Sequence, residues 1–151
     1  MSRRFVLDAW AILALLQKEE PAASRVRHLL EDTYEGEVEL FLSIINLSEV
    51  IYRIGKARGE EEAWETLAQI HRLPLTVVPA SEEAVFAAAR FKMHHAISYA
   101  DAFAVATTER FEGVLVTGDP ELIQLEDRIP LEKLVRSEQS SDPGVGQRSA
   151  C

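Results

Sequence analysis

Four carboxylates stand where a short apolar run gives way to a helical pattern, or where a helix has just begun. Asp8 follows Phe5-Val6-Leu7 and precedes the Ala/Leu-rich run Ala9-Trp10-Ala11-Ile12-Leu13-Ala14-Leu15-Leu16. Glu49 lies three residues after Asn46, so the two share a helical face. Asp101 sits in Ser98-Tyr99-Ala100-Asp101-Ala102, and Asp119 in Val116-Thr117-Gly118-Asp119-Pro120-Glu121. Acids at such positions can gather at one edge of a parallel sheet, where open α/β sheets place their ligands. Two carboxylates roughly 5 Å apart repel by about 3 kcal/mol at an effective dielectric near ~20. A cluster of them therefore raises its own pKa values or takes up a cation. Oxygen donors without Cys or His favour Mg²⁺ or Mn²⁺ over zinc. Such an ion lowers the pKa of bound water and clamps the attacking and leaving oxygens of a phosphodiester. The chemistry to expect is metal-assisted phosphodiester hydrolysis.

Each acid also has a purely structural role open to it. Asp8 can cap the helix starting at Ala9, and Asp119 the one starting at Pro120. Ser98-x-x-Asp101 is close to a capping box, and Asn46-Leu47-Ser48-Glu49 fits one too, although Ser43 is the more natural helix start. Capping alone does not require acids at all four places, since Ser or Thr would serve. The small residues Ala100, Ala102, Ala104 and Ala106 suit a helix start packed closely on the sheet, which would turn Asp101 inward.

The elements that must position these residues read as follows. Arg4 to Asp8 forms a short buried strand, then a helix runs from about Ala9 to Lys18. Pro21 opens a second helix that ends at Gly36. Val38 to Leu42 is the second strand, and Ser43 caps a helix with Ile44, Leu47, Val50, Ile51 and Ile54 on its apolar side. Gly55 and Gly59 bracket a break before a helix through Trp64 and Ile70. Leu75 to Val78 is the third strand, and Ser81-Glu82-Glu83 opens a helix as the macrodipole favours. Ser98 starts another helix that Gly113 stops, Val114 to Val116 is the fourth strand, and a short helix spans Pro120 to about Leu125. Ile129 to Leu131 supplies a last edge strand. This alternation predicts an α/β fold with a mainly parallel sheet covered by helices on both faces.

A chain of 151 residues is the size of one domain, here residues 1–136, and long enough to close a hydrophobic core. Residues 137–151 are rich in Ser, Gln, Gly and Pro without an apolar period, and read as a disordered tail. The single cysteine, Cys151, excludes an internal disulfide and could at most cross-link two chains. Arg3-Arg4 before an apolar run resembles a secretory signal, but Asp8 interrupts it and its removal would delete the first strand. No stretch reaches the ~18 apolar residues of a membrane span, so a cytoplasmic protein is expected. The net charge of −9 disfavours binding bulk nucleic acid through phosphates, so substrate contacts must be local; it also suits a basic protein partner.

Taken in order, Val6-Leu7-Asp8-Ala9-Trp10-Ala11-Ile12-Leu13-Ala14, Asn46-Leu47-Ser48-Glu49-Val50, Tyr99-Ala100-Asp101-Ala102 and Val116-Thr117-Gly118-Asp119 resemble the PIN-domain ribonucleases. The closest likeness in size and motif layout is to the VapC-type toxins of VapBC toxin–antitoxin pairs, and it covers about Arg4 to Leu134. The resemblance implies a PIN-like three-layer α/β/α sandwich in which Asp8, Glu49, Asp101 and Asp119 bind Mg²⁺ (or Mn²⁺) and the Thr117 hydroxyl supports the site. It further implies an RNA substrate, a small antitoxin that lays a basic or aromatic segment into the acidic groove, and a homodimer. A housekeeping RNA-processing nuclease without antitoxin, or a non-catalytic RNA- or protein-binding PIN module, would share the fold. The last motif often carries an aromatic three residues after its Asp, where this chain has Leu122. Glu121 is expected to favour the helix dipole.

Other groups carry weaker signals. His94-His95 reads as a solvated helix end, because adjacent helical residues do not face the same way; the alternative has Lys92 or His94 on RNA phosphate. Arg53, Lys56 and Arg58 read as surface charges and form the best basic patch for substrate. Trp10 and Trp64 read as core or interface anchors rather than base-stacking platforms. A signalling receiver would also gather acids at strand ends, but the third strand ends in Val78-Pro79-Ala80 and no Lys follows Val116.

Overall fold

The computed structural model describes residues 2–137. Ser137 donates its N–H to the Glu20 carbonyl at 2.7 Å; the rest of the expected tail, Cys151 included, lies outside the described residues. The elements are β1 (Arg3–Leu7), α1 (Ala9–Leu16), α2 (Ala22–Tyr34), β2 (Val38–Ser43), α3 (Ile44–Arg58), α4 (Glu60–His71), β3 (Thr76–Val78), α5 (Glu82–His94), α6 (Tyr99–Arg110), β4 (Val114–Thr117), α7 (Pro120–Ile123) and β5 (Leu131–Lys133). All pairings are parallel, in the strand order β3-β2-β1-β4-β5. The chain builds outward from β1 to β2 and β3, then crosses back to the other side of β1 for β4 and β5. The order therefore reverses between β1 and β4, and a crevice opens beyond the carboxyl ends of those two strands.

Buried parallel strands read as continuous apolar runs because helices cover both faces. Phe5 and Leu7 of β1, Leu40 and Leu42 of β2 and Val116 of β4 pack with α1, α2, α3 and α4. Val6, Phe41 and Leu115 point the other way, into a second core with Ala102, Phe103 and Val105 of α6 and Ala88 of α5. The result is the expected three-layer α/β/α sandwich. Helix α6 is buried along almost its whole length; its alanines admit it close to the sheet. Phe111 at its end stacks on Phe41 with centroids 4.1 Å apart.

Several boundaries shift by a residue or two from the sequence reading, and three of the differences have a physical reason. Gly55 is not a break: it stays helical, and a Cβ built there would lie 3.6 Å from Ala63 Cβ across the α3–α4 hairpin. Gly59 alone turns the chain, at φ 101°, a backbone conformation open to glycine. The edge strand starts at Leu131 rather than Ile129: Pro130 gives β4 only its carbonyl, accepting the Leu115 N–H at 2.9 Å, and Ile129 is buried in the second core. Helix α1 ends at Leu16, and Lys18 takes φ 56° to leave it.

Gly113 joins α6 to β4 where a Cβ would lie 2.9 Å from the Arg4 carbonyl oxygen. Gly113→Ala must push β1 and β4 apart, and should destabilise the fold by about 1–3 kcal/mol in urea melts.

Candidate metal centre

Asp8 is the first residue beyond β1 and is 2% exposed. One carboxylate oxygen accepts the Ala11 N–H at 2.9 Å, so the expected helix cap is present. The other accepts the Thr117 hydroxyl from the end of β4. Thr117 is fully buried, and its oxygen in turn accepts the Asp119 N–H at 3.0 Å. The two strands flanking the crevice are thus joined at their ends by a carboxylate and a hydroxyl, and the next acid is oriented by that same hydroxyl. Burial is the largest influence on Asp8 and pushes it up to about 7; the Thr117 and Ala11 hydrogen bonds oppose this, while the charges of Asp119 and Glu49 add to it.

Asp119 caps α7 through the Glu121 N–H at 2.9 Å. Asp101 lies in the first turn of α6, 7% exposed, facing inward. Only half of a capping box forms there: the Ser98 hydroxyl accepts the Asp101 N–H at 3.1 Å. The reciprocal acceptor for the Ser98 N–H is not Asp101 but Glu121, reaching across from α7. Glu121 therefore does more than complement a helix dipole; it couples the starts of α6 and α7, a contact between residues 23 positions apart that no local pattern announces. Burial again dominates at Asp101 and pushes it up to about 8, with the Asp119 charge next, Ser98 opposing, and Asp8 and Glu121 adding.

Glu49 takes a different place. It faces Asp8 closely enough for its charge to act there, but its carboxylate is held by Arg53 one turn on, at 2.9 Å. Asn46, fully buried on the preceding turn, donates to the Ala100 carbonyl at 3.0 Å. Its side-chain oxygen is buried without a hydrogen-bond partner, leaving a bare acceptor between the elements that bear Glu49 and Asp101. Among the described residues no three of His, Cys, Asp or Glu converge as a closed cage. Mg²⁺ does not ask for one: it keeps several waters and binds through one or two carboxylates. An all-oxygen donor set, buried carboxylates pushed towards protonation and an orphaned amide oxygen fit such a hydrated hard cation.

The remaining flagged residues fall elsewhere. Lys92 donates to the Ile97 carbonyl at 2.7 Å and ties the α5–α6 connection. His94 is exposed at the end of α5, and His95 stacks on Phe91 with centroids 6.0 Å apart. The basic patch is largely spoken for: Arg53 pairs with Glu49, Arg58 with Glu62, and Lys56 lies over the Tyr52 ring. Trp64 is 55% exposed and donates to Glu60. Trp10 is half-buried and lines a cleft with Lys133 and Arg136. Neither cation stood out in the sequence, because each lies at least 123 residues from Trp10 along the chain.

A carboxyl with a raised folded pKa holds its proton more tightly folded than unfolded. Its contribution is fully present below the ordinary value of 3.8 and is lost as pH rises towards about 7 for Asp8 and about 8 for Asp101. For Asp8 the full change is on the order of 4 kcal/mol. The metal-free protein should therefore lose stability between pH 4 and 8, and Mg²⁺ should raise Tm strongly at pH 8 and little at pH 5. Calorimetric scans with and without a chelator check both.

A family model for the PIN domain matches residues 5–127. No curated protein sequence matches significantly. Solved structures match in fold. One is a chain of Rickettsia felis VapBC2, solved bound to a DNA fragment from its promoter: 16% identity, 86% of this chain and 98% of that one, TM-score 0.66. Mycobacterium tuberculosis VapC20, described as a sarcin–ricin loop cleaving toxin, matches at 14% identity over 88% and 99%, TM-score 0.66. A chain of Neisseria gonorrhoeae FitAcB matches at 19% over 84% and 95%, TM-score 0.60. With the family model running from β1 through α7 of this five-stranded parallel sheet, the chain belongs to the PIN domain family.

Proposed function

We propose that this protein is a Mg²⁺- or Mn²⁺-dependent endoribonuclease, the toxin of a toxin–antitoxin pair that a small antitoxin neutralises. The observation that carries this reading is the buried Asp8 carboxylate, held by Thr117 at the strand-order reversal and in the field of Asp119, Asp101 and Glu49. An arrangement whose acids are driven towards protonation is costly unless a cation compensates them.

In this reading Asp8, Asp101 and Asp119 hold the metal, with Glu49 joining once Arg53 is drawn away by phosphate. When bound, the metal supplies an activated water and stabilises charge on the phosphodiester oxygens. The protein's own tasks are positional. Thr117 orients Asp8 and Asp119 with one hydroxyl, Glu121 holds the start of α6 in place, and the Asn46 oxygen offers an acceptor to a bound water. The family and the named activity of the M. tuberculosis relative support cleavage as the function, and the VapBC neighbours support an antitoxin partner. An antitoxin and a second copy both need apolar surface to cover; Tyr52 and Trp64 on the α3–α4 hairpin and Phe86 and Met93 on α5 are more than half exposed. No helix among the described residues is long and apolar enough to cross a membrane.

Purified protein free of any partner should cut structured RNA with Mg²⁺ or Mn²⁺ and not with chelator. Asp101→Asn should abolish cleavage. Thr117→Val, which removes an orienting hydroxyl and keeps the shape, should lower metal affinity or activity by about 10–100-fold. Cleavage indifferent to metal, or unchanged in Asp101→Asn, would sink the reading.

A further inference from the structure

The acids do not use up the C-terminal edge of the sheet. Towards β5 that edge opens into a cleft of about 500 Å³ walled by Trp10, Gly118, Pro120, Ile123, Lys133 and Arg136, a size that accepts a small organic ligand. Its place is set by the neighbours of the acids: Trp10 lies two residues after Asp8, and Gly118 and Pro120 flank Asp119. The indole packs so closely on Gly118 that a Cβ there would lie 2.3 Å from a ring carbon. The ring is therefore set against the turn that carries Asp119.

Two cations accompany it. The Arg136 guanidinium lies 5.4 Å from the centroid of a Trp10 ring. Its contacts with Glu19 are both 3.3 Å long, and its side chain is 45% exposed; a pair of this kind holds weakly and yields to a better anion. Lys133, the last residue of β5, is exposed and has no ion pair among the described residues. In a chain of net charge −9, a free cation beside the acidic centre is the local feature that phosphate recognition needs.

We propose that this cleft docks one nucleotide of a single-stranded nucleic acid beside the acidic centre, with the base on the Trp10–Arg136 wall and a phosphate against Lys133. The proposal rests on the ribonuclease reading and adds to it a binding subsite. Bases stack on aromatic rings and on guanidinium planes alike, and the combination with a lysine suits a flat ring bearing an anion. A basic protein segment, the partner that the overall charge attracts, would be repelled by Lys133 and Arg136. An acidic peptide would satisfy the cations and leave the indole unused.

The test uses the full chain carrying Trp64→Phe, so that Trp10 gives the one indole N–H signal, in chelator so that no metal takes part. Adenosine 5′-monophosphate at millimolar concentration should shift that signal, and ribose 5-phosphate should shift it far less. Lys133→Ala should weaken the nucleotide by roughly tenfold at low salt, the loss expected for one charged contact. Titrated by calorimetry, since it removes the indole reporter, Trp10→Phe should retain much of the nucleotide binding, which separates stacking from collapse of the turn. No shift with the nucleotide, an equal shift with ribose 5-phosphate, an equal or larger shift with a tetraglutamate peptide, or an unaltered Lys133→Ala would overturn the proposal. RNA cleavage in metal without nucleotide docking here would leave the ribonuclease standing and remove the subsite. Docking without cleavage would do the reverse.

Discussion

A buried carboxylate at the end of β1, tied to a buried hydroxyl at the end of β4, is the interaction on which the rest of this molecule depends. Parallel sheets whose strand order reverses leave a crevice beyond the strand ends at the reversal, and Asp8 and Thr117 close its floor. An aspartate there sits where water is largely excluded, and its two protein hydrogen bonds do not offset burial and neighbouring charge. The fold thus holds a stored electrostatic cost at one point. The apolar layers on either side of the sheet, with Leu7 and Leu42 facing one way and Val6 and Leu115 the other, are what stabilise it enough to do so.

The surrounding acids show that capping and site-building are compatible roles. Asp8 and Asp119 each satisfy a helix N–H and still contribute charge to the crevice. A carboxylate has about four acceptor directions, and one capping bond uses one of them. Asp101 is released from the capping box by Glu121, which takes the Ser98 N–H in its stead. Glu49 differs from these because it also pairs with Arg53 on its own helix, while its charge still acts on Asp8. The three aspartates thus gather at the crevice, while Glu49 stands in an ion pair on its own helix.

Much of this was legible along the chain because it rests on local periodicity. The strand at Phe5–Leu7, the helix starts at Ser43, Ser81 and Ser98, and the α/β/α class follow from apolar runs and capping chemistry that act over a few residues. The same holds for the acids at strand ends and helix starts. Gly55 carries no local sign of its role, because glycine marks both a break and a place where two helices come close, and only the packing of Ala63 against it distinguishes the two. Pro130 has no N–H, so it meets β4 only through its carbonyl, which accepts the Leu115 N–H at 2.9 Å, and the strand proper begins one residue later.

What the sequence by itself determined is the inventory: which acids exist, on which kinds of element they sit, and that an oxygen-only donor set suits a hard cation. What only tertiary structure decided is who faces whom. Thr117 meets Asp8 across 109 positions, Glu121 meets Ser98 across 23, and Arg136 reaches Trp10 over the whole length of the domain. Spacing along a chain constrains contacts within a turn or two of helix, whereas strand order and crossover connections set the rest. The basic patch expected from Arg53, Lys56 and Arg58 dissolved for that reason into local ion pairs and a ring contact. Lys133, without an ion pair among the described residues, came from β5, an edge strand whose only message in the sequence was a short apolar run.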